Sequence, residues 1–154
     1  AALILADEFG QVDPGNAAAY KTNANAYRQK LDNLDNWAKQ QLAGIPRDKR
    51  KLTTSHLAFG YFCRDYGFKA LPVQGLTRER DPSPSYLAEA IAQIRKEKIP
   101  AVFPEKLANS KVLEAMVDET GVKMGGTLIA DGSVESFEKM FKHNVSTIAA
   151  GLKE

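Results

Sequence analysis

The sequence predicts an α/β fold, a four-stranded, mainly parallel sheet with helices on both faces, preceded by a long backbone helix. Three observations predict it. Short apolar or β-branched runs near residues 51–55, 70–73, 101–103 and 122–129 alternate with helical patterns of about ten residues or more. An apolar stripe at spacings of three and four runs through Ala17, Tyr20, Ala24, Tyr27, Leu31, Leu34, Ala38 and Leu42. The hydrophobic fraction of 44% over 154 residues supplies a sizeable core.

The elements follow in order. A short first helix ends at Gly10, and its start at Ala1 carries no cap, which reads as the cut edge of a longer protein. Asp13-Pro14 has the pattern of an N-cap followed by proline at the first helical position. The helix over 14–43 would then be roughly 45 Å long, at about 1.5 Å per residue. That length suits a strut, with two shorter helices as the alternative. Beyond Gly44-Ile45-Pro46, strand one covers 51–55, and a helix over 57–66 ends at Gly67. Strand two covers 70–73, with Pro72 placing it near an edge. Ser83 caps a helix over 84–98, strand three covers 101–103, and a helix over 110–120 stops at Gly121. Strand four falls within 122–129, interrupted by Gly125-Gly126, and a closing helix runs over 133–152.

Several function classes are excluded or weakened. Lys and Arg total 21 against 19 Asp and Glu, a net charge of +2, and no long basic cluster occurs, so nucleic acid is not an expected partner. No apolar run approaches the roughly 20 residues of a membrane-spanning helix. One cysteine, Cys63, forms neither an internal disulfide nor a thiolate cluster, and its mid-helix setting reads as a buried structural thiol. No nucleophile elbow, phosphate loop or dinucleotide fingerprint is present.

Ligands of open parallel sheets collect beyond the carboxyl ends of the strands. Those ends carry Ser55-His56, the 74–81 loop, Pro104-Glu105 and Ala130-Asp131. Imidazole and carboxylate bind zinc and similar divalent ions and also act as acid–base groups. Spacing alone leaves the alternatives open: His56 reads equally as a cap of the helix that follows, and for Glu105 and Asp131 helix capping is the reading that spacing favours. His143, in the last helix, reads as surface or partly packed structure.

The run Thr53-Thr54-Ser55-His56-Leu57-Ala58-Phe59-Gly60-Tyr61-Phe62, continued by Arg64-Asp65-Tyr66-Gly67-Phe68, closely resembles the second lobe of metal-binding substrate-binding proteins of zinc and manganese ABC importers, of the zinc-uptake type. Asp81-Pro82-Ser83-Pro84, Val102-Phe103-Pro104-Glu105, Glu119-Thr120-Gly121, Leu128-Ile129-Ala130-Asp131-Gly132 and Met140-Phe141-Lys142-His143-Asn144-Val145 resemble further family segments in the same order. Asp13-Pro14 through Tyr20, Asn23, Tyr27 and Leu31 resembles the start of the family's long helix.

That resemblance implies two α/β lobes joined by a rigid helix, with one metal ion held between them by two side chains from each lobe. The second-lobe ligand positions fall on His56 and Asp131. Glu105 is placed as a residue orienting a ligand from outside the coordination sphere, or locking the inter-lobe region. The family's first-lobe histidines, one in an Asp-Pro-His motif, have no counterpart here. The expectation is therefore residues 1–46 as short helix plus inter-lobe helix and 47–154 as the C-terminal metal-binding lobe, with the N-terminal lobe absent and the site incomplete. The implied cargo is a divalent transition metal. His at position 56, where manganese-preferring relatives often carry Glu, leans toward Zn2+ over Mn2+. The implied function is extracytoplasmic capture and delivery to an ABC permease, without enzyme activity. The location is periplasmic or extracellular, with lipid anchoring one mode of retention in the full-length protein. A manganese-specific binder or a surface adhesin on the same scaffold is the alternative, and a metal-dependent hydrolase around His56, Glu105 and Asp131 a remote one.

Overall fold

A computed structural model describes residues 1–73, 84–107 and 110–153. They divide into two compact units, Ala1–Lys39 and Gln40–Glu154.

In the first unit, helix α1 covers Ala2–Val12, a 3-10 turn covers Pro14–Asn16, and helix α2 begins at Ala17. The two helices face each other closely: a Cβ on Gly10 would lie 3.1 Å from that of Ala17. The rings of Phe9 and Tyr20 stand 5.7 Å apart. Asp13 does not cap through its side chain, contrary to expectation. Its Oδ2 instead accepts hydrogen bonds from Asn16 Nδ2 and Tyr20 Oη, each at 2.8 Å. Those bonds, Asn16 first, hold its carboxyl below the ordinary carboxylate range. α2 runs unbroken over Ala17–Leu42, so one helix forms where two were the alternative.

The second unit is built on an all-parallel sheet, with strands β1 (Lys51–Thr54), β2 (Lys69–Ala70), β3 (Ala101–Phe103) and β4 (Lys123–Met124) in the order β2-β1-β3-β4. β2 is an edge strand, as Pro72 predicts. Lys69, Leu71 and Val73 donate to Arg50, Leu52 and Thr54 of the neighbouring segment. Alternate residues turn their N–H groups to opposite sides, so the missing N–H of Pro72 falls on the open edge and costs no ladder bond.

Helices α3 (Gly60–Tyr66), α4 (Pro84–Glu97), α5 (Lys111–Thr120) and α6 (Phe137–Leu152) complete the unit. Thr53 pairs with Val102 and Thr54 with Phe103, so members of each pair share a face of the sheet. On the Val102 face, Ala90 and Ile94 of α4 and Val112, Leu113 and Met116 of α5 form the main apolar cluster. On the Phe103 face lies α6, whose Gly151 abuts the Phe103 ring. α3 joins α6 through aromatic contacts of Phe62 and Tyr66 with Phe141 at 6.3 and 6.1 Å. Both α3 and α5 stop at a glycine in the left-handed region, Gly67 and Gly121, each at φ 69°.

Several boundaries differ from expectation: α1 runs to Val12 rather than Gly10, and β2 is Lys69–Ala70 rather than 70–73. α3 starts at Gly60 rather than 57, residues 55–59 forming neither strand nor helix. Strand four is only Lys123–Met124, resumed as a single bridge between Glu105 and Leu128 beyond the Gly125-Gly126 interruption. α6 starts at Phe137 rather than 133, because the Oγ of Ser136 accepts the N–H of Lys139 at 3.2 Å and caps the helix there. The expected cap at Ser83, the 74–81 loop and most of the Asp81-Pro82-Ser83-Pro84 motif lie outside the described residues.

Candidate metal centre

In a parallel sheet every strand delivers its carboxyl end to the same rim. β1 and β3 are adjacent and central, so His56 and Glu105, each two residues past its strand, arrive side by side. The backbone at His56 is held tightly. Its carbonyl accepts from Thr54 Oγ1 at 2.8 Å and from the Ala58 N–H at 3.0 Å.

Glu105 grips His56 at two points. Oε1 accepts the His56 backbone N–H at 3.0 Å, and Oε2 lies 2.5 Å from the ring Nδ1. The Glu105 side chain is 2% exposed and that of His56 12%. The carboxylate sits at Nδ1, so Nε2 is the ring nitrogen on the side away from Glu105. A carboxylate behind an imidazole fixes the tautomer and the ring orientation.

Asp131 follows from β4 on the neighbouring side. Leu128 donates to the carbonyl of Pro104 at 2.8 Å, and its own carbonyl accepts from Lys106 at 2.9 Å. The segment bearing Glu105 and the segment leading to Asp131 are thus hydrogen-bonded as neighbours. Asp131 is half-buried, and its Oδ1 lies 3.4 Å from the Ser133 N–H, a weak contact that leaves the carboxylate available. It lines a cleft of about 460 Å³ with Ala130, Gly132, Val134, Glu135, Ser136, Phe137 and Met140. Asp131 does not cap α6, which Ser136 does.

The structure therefore joins His56 and Glu105 directly and sets Asp131 on the same rim. Among the described residues, no group of three or more His, Cys, Asp or Glu side chains is arranged to hold a metal ion. His143 lies elsewhere, its Nε2 2.9 Å from the Thr127 carbonyl oxygen. Cys63 is buried, as expected. The role of one polar residue was not apparent from the sequence. Asn144, 6% exposed, holds both backbone groups of Ile129 at 2.8 Å. Its signal was present: a carboxamide on the stripe that α6 buries, beside Val145 and Ile148.

Known proteins agree with this architecture. A manganese-binding lipoprotein, MntA, of Bacillus subtilis is 36% identical, the match covering 95% of this chain and 51% of that protein. The iron-binding protein YfeA of Yersinia pestis is also 36% identical, over 90% of this chain and 47% of its own length. The solved structure of the periplasmic zinc-binding protein TroA from Treponema pallidum superposes with a TM-score of 0.85 at 31% identity, covering 98% of this chain and 58% of that one. The chain thus spans about half the length of the curated relatives it matches. The relatives named here are binding proteins, not enzymes, and the metals in their names differ. The profile of the zinc-uptake complex component A periplasmic family matches residues 1–151, essentially the whole chain, and the chain belongs to that family.

Proposed function

We propose that this chain is the metal-capturing half of an extracytoplasmic substrate-binding protein that delivers a divalent transition metal, zinc in preference to manganese, to an ABC permease. Residues 47–154 form the metal-binding lobe and residues 1–46 the connection to a further lobe. His56 Nε2 and the Asp131 carboxylate are the two ligands this half supplies, and Glu105 orients His56 from behind. The observation that supports the reading is the double hold of Glu105 on His56, one oxygen at the backbone N–H and the other at ring Nδ1, as a carboxylate behind a ligating imidazole would sit. The lean to zinc is supported by the nitrogen donor at position 56. The periplasmic and lipoprotein names of the relatives support an envelope location. Two protein ligands are half of the tetrahedral set that structural zinc takes. The other two come from the further lobe, and Ile4, Leu5 and Val12, exposed on α1, offer it apolar surface.

The test is calorimetric titration of the full-length protein with zinc and with manganese. His56→Ala and Asp131→Ala are each expected to weaken zinc binding by more than the roughly 10–100-fold carried by outer residues of metal sites. Unchanged affinity in either variant removes that residue from the ligand set. Tighter binding of manganese than of zinc overturns the choice of metal.

A further inference from the structure

We propose that Asn144 is a positioning residue for metal capture: its carboxamide takes the place of an absent edge strand and fixes the backbone that presents Asp131. The inference rests on the reading of Asp131 as a ligand.

Successive residues of an extended chain turn their backbone polar groups to opposite sides. At Leu128 both groups turn toward the segment after β3, pairing with Pro104 and Lys106. At Ile129 they turn the other way, beyond β4, the outermost strand of the order β2-β1-β3-β4. Ile129 is buried, so water does not readily serve its N–H and C=O. Asn144 serves both: Oδ1 accepts from the Ile129 N–H, and Nδ2 donates to the Ile129 carbonyl, each at 2.8 Å. A side-chain carboxamide is a copy of a peptide group, with one acceptor and one donor side by side. The Ile129 N–H also settles which way round the amide sits.

The consequence is geometric. Leu128 is tied on one side to the segment bearing Glu105, and Glu105 holds His56. Ile129 is tied on the other side to α6, and Asp131 follows two residues later. The segment leading to Asp131 is therefore fixed from both sides before any metal arrives, and His56 is held by Glu105. Without Asn144, the segment leading to Asp131 would be held on one side only. Ligand groups that must be ordered at the moment of binding lower affinity, whereas preorganised ones do not.

The experiment measures zinc affinity by chelator competition in the full-length protein carrying Asn144→Asp or Asn144→Ala, alone and combined with Asp131→Ala, at temperatures where circular dichroism shows each variant folded. Asn144→Asp keeps shape and acceptor and loses the donor. The expected result is about tenfold weaker binding for each single variant, little further loss in the Asp131→Ala background, and an altered visible spectrum of bound Co2+. Asp131→Ala that weakens binding while both Asn144 variants retain affinity and spectrum overturns the positioning role and leaves the ligand reading intact. Asp131→Ala without effect overturns both. If neither Asn144 variant folds, hydrogen exchange of the unaltered metal-free protein decides. An Ile129 amide protected like the strand amides supports the role, and one exchanging like an exposed loop overturns it.

Discussion

The carboxylate of Glu105 lies behind the imidazole of His56 with one oxygen on the backbone N–H at 3.0 Å and the other 2.5 Å from Nδ1. One buried acid thereby holds both the His56 backbone and the Nδ1 side of its ring. Glu105→Gln keeps the volume and the N–H acceptor but replaces the charge behind the ring. Zinc affinity of the full-length protein is expected to fall about 10–100-fold, with little change in melting temperature. Isothermal titration gives the affinity, and an undiminished value would deny Glu105 its orienting role.

The ring of Phe103 is fully buried between two glycines. A Cβ on Gly125 would lie 2.5 Å from ring Cδ1 and Cε1, and one on Gly151 2.7 Å from Cε1 and Cζ. Gly→Ala within a helix ordinarily gains up to about 1 kcal/mol. Here the overlap reverses the sign, and Gly151→Ala is expected to destabilise by about 1–3 kcal/mol. Urea unfolding measures it. Shrinking the ring with Phe103→Leu should make the same Gly151→Ala change far less costly, a coupling that a purely local helix effect would not show.

Arg50 joins three carbonyls at the ends of two helices. Nη2 donates to Leu42 at 3.1 Å, Nε to Ile45 at 3.1 Å and Nη1 to Tyr66 at 3.0 Å. Leu42 ends α2 and Tyr66 ends α3, so a cation there also meets the negative ends of both helix dipoles. Lysine carries the charge without the planar fork. Arg50→Lys is expected to lose about 1–3 kcal/mol, nearly as much as Arg50→Ala, when denaturation midpoints are compared. Full retention of stability in the lysine variant would show that charge alone suffices.

Burial of Cys63 pushes its thiol up to about 11 from 9.0. The folded state therefore holds the proton more tightly than the unfolded chain. That contribution is fully present below about pH 9 and is lost as pH rises through about 11. At pH 8 a thiol reagent is expected to label Cys63 only after denaturant is added. Between pH 9 and 11 the stability of the unaltered protein should decline more steeply than that of Cys63→Ala. Parallel slopes would remove the thiol as the cause.

Much of this was legible in local sequence. Pro72 announced an edge, Gly67 and Gly121 announced helix ends, and the ends of strands one and three announced a shared rim, because each rests on backbone chemistry that acts within a few residues. The start of α6 was not legible. Ser133 and Ser136 are both suitable caps, and the choice of Ser136 follows from where the chain emerges after Asp131. The grip of Glu105 on His56 was not legible either. A carboxylate two residues beyond β3 reads as a helix cap until β1 is placed beside it.

The sequence by itself determined the alternation of strands and helices, the family, and the residue types at the rim. These follow from periodicity, turn chemistry and motif order, all of which are local. Only the tertiary structure decided which side chains meet: Glu105 with His56 across 49 positions and Asn144 with Ile129 across 15. Strand order and register set those meetings, and both depend on packing the two faces of the sheet at once, which no single segment encodes.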